Sequence, residues 1–270
     1  MTRPPGNEGQ SMHTNYRVSG RQDAPVLLLS HSLGTNLAMW DRVLPALEQH
    51  FRVIRFDFRG HGGTPAVDRK CSITELQDDV IALLDHLGIE RTLFAGLSLG
   101  GMVGLGLGLD HPDRLNGLIV CDISAQTPSA SRSTWDARIA EVDRSGVNAL
   151  VEPTLERWFG EAFRSDTDAM AQMREIMLNT SAEGYICCAR AIQGFDVKHR
   201  LGKMGVPTLY LTGENDKSAP PATMREMQAL TPGSQFVAIP GAGHMSAVEQ
   251  PAAVASAVIE FFAALELQPE

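Results

Sequence analysis

The amino-acid sequence predicts an α/β protein with a mostly parallel central sheet, flanked by helices and interrupted by a helical insertion. Three observations carry that expectation. Short apolar runs alternate with segments of helical periodicity up to about residue 121, the rhythm of successive β-α units. Between 124 and 200 no convincing strand occurs, and four segments read as helices. The alternation resumes at 206 and continues to a final amphipathic helix. The expected organisation is therefore one core made of 1–123 and 201–270, with 124–200 inserted into it as a cap or lid.

The opening MTRPPGNEGQ is polar, reads as disordered, and lacks an apolar signal core. Residues 12–18 suit a strand and 20–25 a turn. VLLLS at 26–30 is short and apolar, as expected of a central parallel strand covered on both faces. After His31-Ser32-Leu33-Gly34, a helix is expected over 40–49 with Leu44 and Leu47 inward, then a strand over 51–56 ending in the glycine turn Asp57 to Gly62. Over 73–87, Leu76, Val80, Leu83, Leu84 and Leu87 recur at helical spacing, while Glu75, Asp78 and Asp79 suit a helix's first turns. A strand at 92–97 and a helix at 102–109 follow, then a strand at 118–121 ending at Asp122. The insertion reads as helices at 135–142, 149–159, 168–179 and 183–192. The last units are a strand at 206–212, a helix at 224–230, a strand at 235–239 and a helix at 251–265.

Composition narrows the function classes. A chain of 270 residues with 43% hydrophobic and 20% charged residues is ordinary for a globular protein that buries a large core. The formal charge of −9, with no Lys/Arg cluster, argues against a nucleic-acid partner. Of the four cysteines, Cys187 and Cys188 are adjacent while Cys71 and Cys121 fall in unrelated segments. That spacing suggests neither a disulfide framework nor a metal site, and a reducing cytoplasm is the expected compartment. The uncharged run 92–109 sits at the lower limit for a membrane span, and Gly100, Gly104 and Gly108 have helix-packing spacing. Gly96 and Gly100-Gly101 interrupt the run and no basic flank follows it, so no membrane partner is expected.

Within that run lies Gly96-Leu97-Ser98-Leu99-Gly100, a G-x-S-x-G pattern between a strand and a helix. Such a turn lifts the serine hydroxyl clear of the sheet and sets it at a helix N-terminus, where free N–H groups favour negative charge. A serine hydroxyl needs a base to take its proton, usually a histidine oriented by a carboxylate. Ligands gather at the C-terminal ends of parallel strands, so acids and histidines just after predicted strands are the candidates. Gly213-Glu214-Asn215-Asp216 follows one strand and Pro240-Gly241-Ala242-Gly243-His244 another. Ser98, Asp216 and His244 then form the candidate nucleophile, acid and base. Asp122 is the reserve acid and Glu214 a third choice. His31 and His61 read as structural and Asp57 as a loop tie. Leu99 and Leu33 are placed to offer backbone N–H groups to an oxyanion, and losing one such donor typically costs about a hundred- to a thousandfold in rate.

Together these residues resemble the α/β-hydrolase superfamily, over about Asn15 to Phe262. Several stretches are similar to the bacterial 3-oxoadipate enol-lactonases: Ser32-Leu33-Gly34-Thr35 with Met39-Trp40-Asp41, Asp57 to Gly62, and Gly96 to Met102. So are the insertion's Trp135 with Ala137-Arg138-Ile139, its Leu155-Glu156-Arg157-Trp158-Phe159 and Glu183-Gly184-Tyr185, and the late Gly243-His244 and Val248-Glu249-Gln250-Pro251. His31-Ser32 departs from the His-Gly of many superfamily members. The resemblance implies an α/β-hydrolase fold with a helical lid and hydrolysis of a small unsaturated lactone bearing a carboxylate, with no cofactor or metal. Another esterase or lactonase, a carbon–carbon bond hydrolase, or a non-catalytic binding protein are the alternatives. A substrate carboxylate in an apolar site should find a cation or several donors. Of Arg132, Arg138, Arg157, Arg164 and Arg190 in the insertion, Arg138 is favoured, one turn from Trp135, with Trp135, Trp158 and Trp40 as candidate pocket walls. Oligomeric state is not legible.

Overall fold

A computed structural model describes residues 14–67 and 71–265; the polar opening and the first residues of the expected strand at 12–18 lie outside the described residues. The sheet contains β1 (Tyr16–Gly20), β2 (Val26–Ser30), β3 (Arg52–Phe56), β4 (Thr92–Leu97), β5 (Leu115–Cys121), β6 (Thr208–Gly213) and β7 (Gln235–Ile239). Their spatial order is β1-β3-β2-β4-β5-β6-β7. Only β1 runs antiparallel, against β3. β2 and β4 are buried on both faces, which is why their sequences are unbroken apolar runs and not alternating ones.

Helices α1 (Leu44–Leu47), α2 (Ile73–His86) and α3 (Leu99–Asp110) connect the first strands. Between β5 and β6 come α4 (Arg132–Ser145), α5 (Val151–Trp158), α6 (Thr167–Leu178) and α7 (Ala182–Gln193). The chain then adds α8 (Pro221–Leu230), α9 (Ser246–Glu249) and α10 (Pro251–Ala263). Two apolar clusters sandwich the sheet. One joins α2 and α3 to Val142 of α4 and to Tyr185 and Cys188 of α7. The other joins α1 and α10 to Val151, Leu155 and Trp158 of α5 and Met170, Met173 and Met177 of α6. The helices between β5 and β6 thus reach both faces of the sheet from above its rim.

Local chemistry explains most boundaries. Ser72 caps α2: its hydroxyl accepts the Glu75 N–H at 3.3 Å, and the Glu75 carboxylate accepts the Ser72 N–H at 2.7 Å. Such a reciprocal cap contributes about 1 kcal/mol. The run at 92–109 splits into β4 and the 12-residue α3, whose residues 99–108 are all buried. Among the described residues no helix is long and apolar enough to cross a membrane. The helix expected over 40–49 is instead a 3-10 turn, Leu37–Trp40, followed by the four-residue α1. Asn36 caps the turn through its side chain, and Pro45, which lacks an N–H, fits only a helix's first turn, so the two pieces do not fuse. Pro207 similarly delays β6 to Thr208.

The cysteine expectation needs correction. Cys71, beside the cap of α2, is disulfide-bonded to Cys187 of α7, with Cα atoms 5.1 Å apart. The two are 116 residues apart in the chain, so only tertiary contact reveals the pair. Cysteine usage therefore gives no argument for a reducing compartment. Cys121 and Cys188 are free and buried.

Candidate active site

Because β2, β4, β5, β6 and β7 run parallel, their C-terminal ends share one rim. Ser32 and Leu33 follow β2, Ser98 follows β4, Asp122 follows β5, Asp216 follows β6 and His244 follows β7. Ser98 has φ 55° and ψ −116°, a left-handed conformation that costs a non-glycine residue about 1–3 kcal/mol. Its surroundings hold it there: the Ser98 N–H donates to the Cys121 carbonyl at 2.9 Å and the Gly100 N–H to the His31 carbonyl at 3.1 Å. A Cβ at Gly96 would strike the Gly100 backbone, and one at Gly100 the Ser30 carbonyl. Only glycines let α3 start this close to β4 and β2.

The structure brings the three distant side chains together. His244 Nδ1 lies 2.9 Å from Asp216 Oδ2, and His244 Nε2 lies 3.2 Å from Ser98 Oγ. Asp216 also accepts the Ser218 N–H at 2.7 Å. Burial alone would pull the His244 imidazole pKa down, but the Asp216 charge and hydrogen bond outweigh it and leave it raised. Burial pushes the Asp216 carboxyl upward, and the His244 charge and hydrogen bond, aided by backbone N–H groups, hold it below its ordinary value. With its proton on Nδ1, His244 turns the Nε2 lone pair to the Ser98 hydroxyl, the arrangement that lets a serine attack a carbonyl.

Leu33 borders the same cavity as Ser98, and its N–H donates to no acceptor among the described residues. Leu99 is the first residue of α3, so its N–H has no partner within the helix. Two buried histidines set the loop that carries Leu33. His31 Nε2 accepts the Phe58 N–H at 2.9 Å, and its Nδ1 donates to the Ser32 carbonyl at 2.8 Å. His61 Nε2 accepts the Gly34 N–H at 3.1 Å, and its Nδ1 donates to the Arg59 carbonyl at 3.0 Å. Each ring uses one nitrogen as acceptor, so each is neutral. Asp57 ties the neighbouring turns, accepting the Leu37 N–H at 2.7 Å and the Gly63 N–H at 2.9 Å.

Burial lowers the His31 pKa to about 4, and burial with the His31 ring beside it lowers His61 to about 3. Unfolded histidines protonate below about pH 6.5, so the stability from these rings is complete above that pH. It falls as the pH drops below about 6.5, by a few kcal/mol for each ring, and the loss is complete near pH 4 for His31 and near pH 3 for His61. Thermal melting between pH 7 and pH 4 should show this decline, with a shallower slope in His61→Gln, which melts lower at pH 7. Equal slopes would contradict it.

Asp122 has φ 57° and is not an acid partner of His244. It accepts the Gly213 N–H at 2.8 Å, the Thr212 hydroxyl at 3.2 Å and the Ser246 hydroxyl at 2.6 Å. It thereby braces the ends of β5 and β6 against the loop of His244. Burial, then the Asp216 charge, pushes its carboxyl up to about 8. Glu214 is turned outward and accepts the Gly241 N–H at 3.2 Å.

Above Ser98 lies a cavity of about 320 Å³ roofed by the helices between β5 and β6. Trp135, Arg138, Arg157, Trp158 and Tyr185 line it with Ser98 and His244. The Arg138 guanidinium lies 5.0 Å over the Trp135 ring, and the Trp158 ring centre is 6.2 Å from that of His244. Trp40 is not there. It is 1% exposed in the cluster below the sheet, because the turn capped by Asn36 folds its ring inward, so its expected place on the pocket wall is wrong. Arg132, Arg164 and Arg190 are exposed. Arg157 joins Arg138 instead: burial, with the Arg138 charge beside it, pulls its pKa down to about 10. Neither guanidinium has a carboxylate partner among the described residues. The sequence marks Arg157 only as one of five arginines of the insertion and by its place in Leu155-Glu156-Arg157-Trp158-Phe159.

The family profile described as the alpha/beta hydrolase fold matches residues 25–251. 3-oxoadipate enol-lactonase 2 of Acinetobacter baylyi is 34% identical over 252 residues, covering 92% of each chain. A protein named "Putative carbamate hydrolase RutD" from Variovorax paradoxus is 31% identical, covering 93% of this chain and 97% of its own. The crystal structure of the enol-lactonase from Burkholderia xenovorans LB400 superimposes with a TM-score of 0.89 at 34% identity, covering 93% of this chain and 96% of that one.

Proposed function

The chain belongs to the α/β-hydrolase family, and from that premise we propose that it opens a small carboxylated enol-lactone, 3-oxoadipate enol-lactone, by a Ser98 acyl-enzyme route. His244 Nε2 takes the Ser98 proton as Oγ bonds to the ring carbonyl carbon. The resulting oxyanion meets the Leu33 and Leu99 N–H groups. When the carbonyl reforms, the ring C–O bond breaks, its electron pair goes to the enol oxygen, and His244 returns the proton there. The acyl chain on Ser98 then yields to a water deprotonated by His244, releasing 3-oxoadipate. An enol is a far better leaving group than an amine, so the ring opening needs no group beyond these side chains. Residues 124–200 act as the cap that encloses the substrate.

What supports the carboxylated substrate is the pair Arg138 and Arg157. Two guanidiniums share a half-enclosed cavity, neither of them ion-paired with a carboxylate among the described residues, and a buried unpaired cation is costly. A carboxylate between them removes that cost and holds the ring carbonyl over Ser98. A hydrogen bond between charged groups contributes about 1.5–3 kcal/mol, or roughly ten- to a hundredfold in affinity per arginine.

Purified protein should therefore turn over 3-oxoadipate enol-lactone at least about a hundredfold faster, as kcat/KM, than p-nitrophenyl acetate. Arg157→Met should lower kcat/KM for the lactone by about ten- to a hundredfold, with most of the penalty confined to the carboxylated substrate. Equal turnover of the acetate ester would overturn the lactone reading. A carbamate in the same panel tests the reading that the RutD relative suggests.

A further inference from the structure

We propose that Glu249 is a positioning residue that latches the helix carrying Arg157 to the loop carrying His244, so that anion binding at the roof and alignment of the base are coupled. The proposal rests on the serine-hydrolase reading of Ser98 and His244 and on the anion-binding reading of Arg157, whichever anionic ester or lactone is cleaved.

The geometry is a short chain of contacts. Glu249, the last residue of α9, is 7% exposed and forms no salt bridge among the described residues. Its two carboxylate oxygens divide between two elements. Oε1 accepts the Gly243 N–H at 2.7 Å, in the residue just before His244. Oε2 accepts the Gly160 N–H at 3.2 Å, two residues past the end of α5. Between these bonds, the His244 N–H donates to the Trp158 carbonyl at 2.9 Å. One backbone bond thus joins the C-terminal end of α5 to the histidine loop directly, and the Glu249 carboxylate bridges the same two segments with one bond to each. Residues 157 and 158 of that same helix line the cavity.

A carboxylate suits this place because both neighbours are donors and each oxygen can accept one. Gly243 lies against the Trp158 carbonyl and the Glu249 oxygen so closely that a side chain there would collide with both. The two segments are therefore held at backbone contact, and a shift of α5 passes directly to the main chain at His244. A displacement of about 1 Å at a catalytic group costs about a hundredfold in rate. The latch confers a function on the unpaired arginines beyond affinity: an anion that draws Arg157 inward tightens the same helix end that seats the imidazole.

The experiment compares wild type, Glu249→Gln and Glu249→Ala. Circular dichroism first establishes that each is folded and where it melts. The second-order rate of Ser98 labelling by a fluorophosphonate then reports activation of the hydroxyl without reference to any substrate. Glu249→Gln presents an NH₂ group to one donor and should label about a hundredfold more slowly below its melting temperature. For mono-p-nitrophenyl adipate, an anionic ester probe, the penalty of Arg157→Met should be several-fold smaller in the Glu249→Gln background than in wild type. In the wild-type protein, occupying Ser98 with the fluorophosphonate should slow amide exchange in 156–162 and 241–250 together. A folded Glu249→Gln that labels within about threefold of wild type, penalties that simply multiply, or protection of 241–250 without 156–162 would each overturn the latch. A wild-type chain that fails to label at Ser98 would sink the hydrolase reading itself, a distinguishable result.

Discussion

Ser98→Ala is expected to lower kcat by about six orders of magnitude while leaving the protein folded. The change deletes one oxygen, whose hydrogen-bond partner is His244 Nε2 at 3.2 Å. The left-handed backbone at residue 98 is held by backbone bonds from Ser98 and Gly100 and by the close approach of α3 to β4, none of which uses the side chain. The melting temperature should therefore move by only a few degrees. His244→Ala should cost about as much, and the double variant little more than either alone, because nucleophile and base act as one unit. Steady-state turnover of the lactone by the three variants checks this. A double variant whose loss is the product of the single losses would mean that the two side chains act separately.

Asp216→Asn should lower kcat by about four orders of magnitude with little effect on folding. An asparagine in this position turns its NH₂ towards Nδ1, so the imidazole proton moves to Nε2 and faces the Ser98 hydroxyl. Nε2 then has no lone pair with which to take the serine proton. Asp122 does not rescue the variant, although it is buried nearby. Its oxygens are committed to Gly213, Thr212 and Ser246. Rescue would require breaking those bonds, which brace both loops of the site. The kcat of Asp216→Asn, set against that of the Asp122→Asn, Asp216→Asn double variant, checks the point. A single variant that keeps more than about a tenth of its activity would show that another acid orients His244.

Much of this arrangement was legible because it is local. Ser98 follows its strand directly, Asp216 and His244 lie in the short loops after theirs, and parallel strands place their C-terminal ends on one rim whatever else the chain does. The glycines around Ser98 announce a close approach of backbones, and the histidines in the turns after β2 and β3 announce loop ties. What the sequence does not reveal depends on contacts between segments far apart in the chain. Trp40 sits on a turn whose inward direction is set by the Asn36 cap and by packing below the sheet. Arg157 and Arg138 come from different helices, and only the convergence of those helices on the cavity above Ser98 makes Arg157 a cavity residue while Arg164 stays exposed. Cys71 and Cys187 lie on the two sides of such a contact, and Glu249 spans another. Periodicity describes one element at a time, so it carries no information about these meetings.

One hydroxyl, that of Ser98, is expected to carry the turnover of an anionic lactone. Fluorophosphonate titration tests it most directly, with Ser98 occupancy read by peptide mass spectrometry and turnover of 3-oxoadipate enol-lactone measured on the same samples. The expected result is a straight line, with activity falling in proportion to labelled Ser98 and reaching zero at full occupancy. Lactone turnover that survives complete labelling of Ser98 would mean that another group carries the reaction.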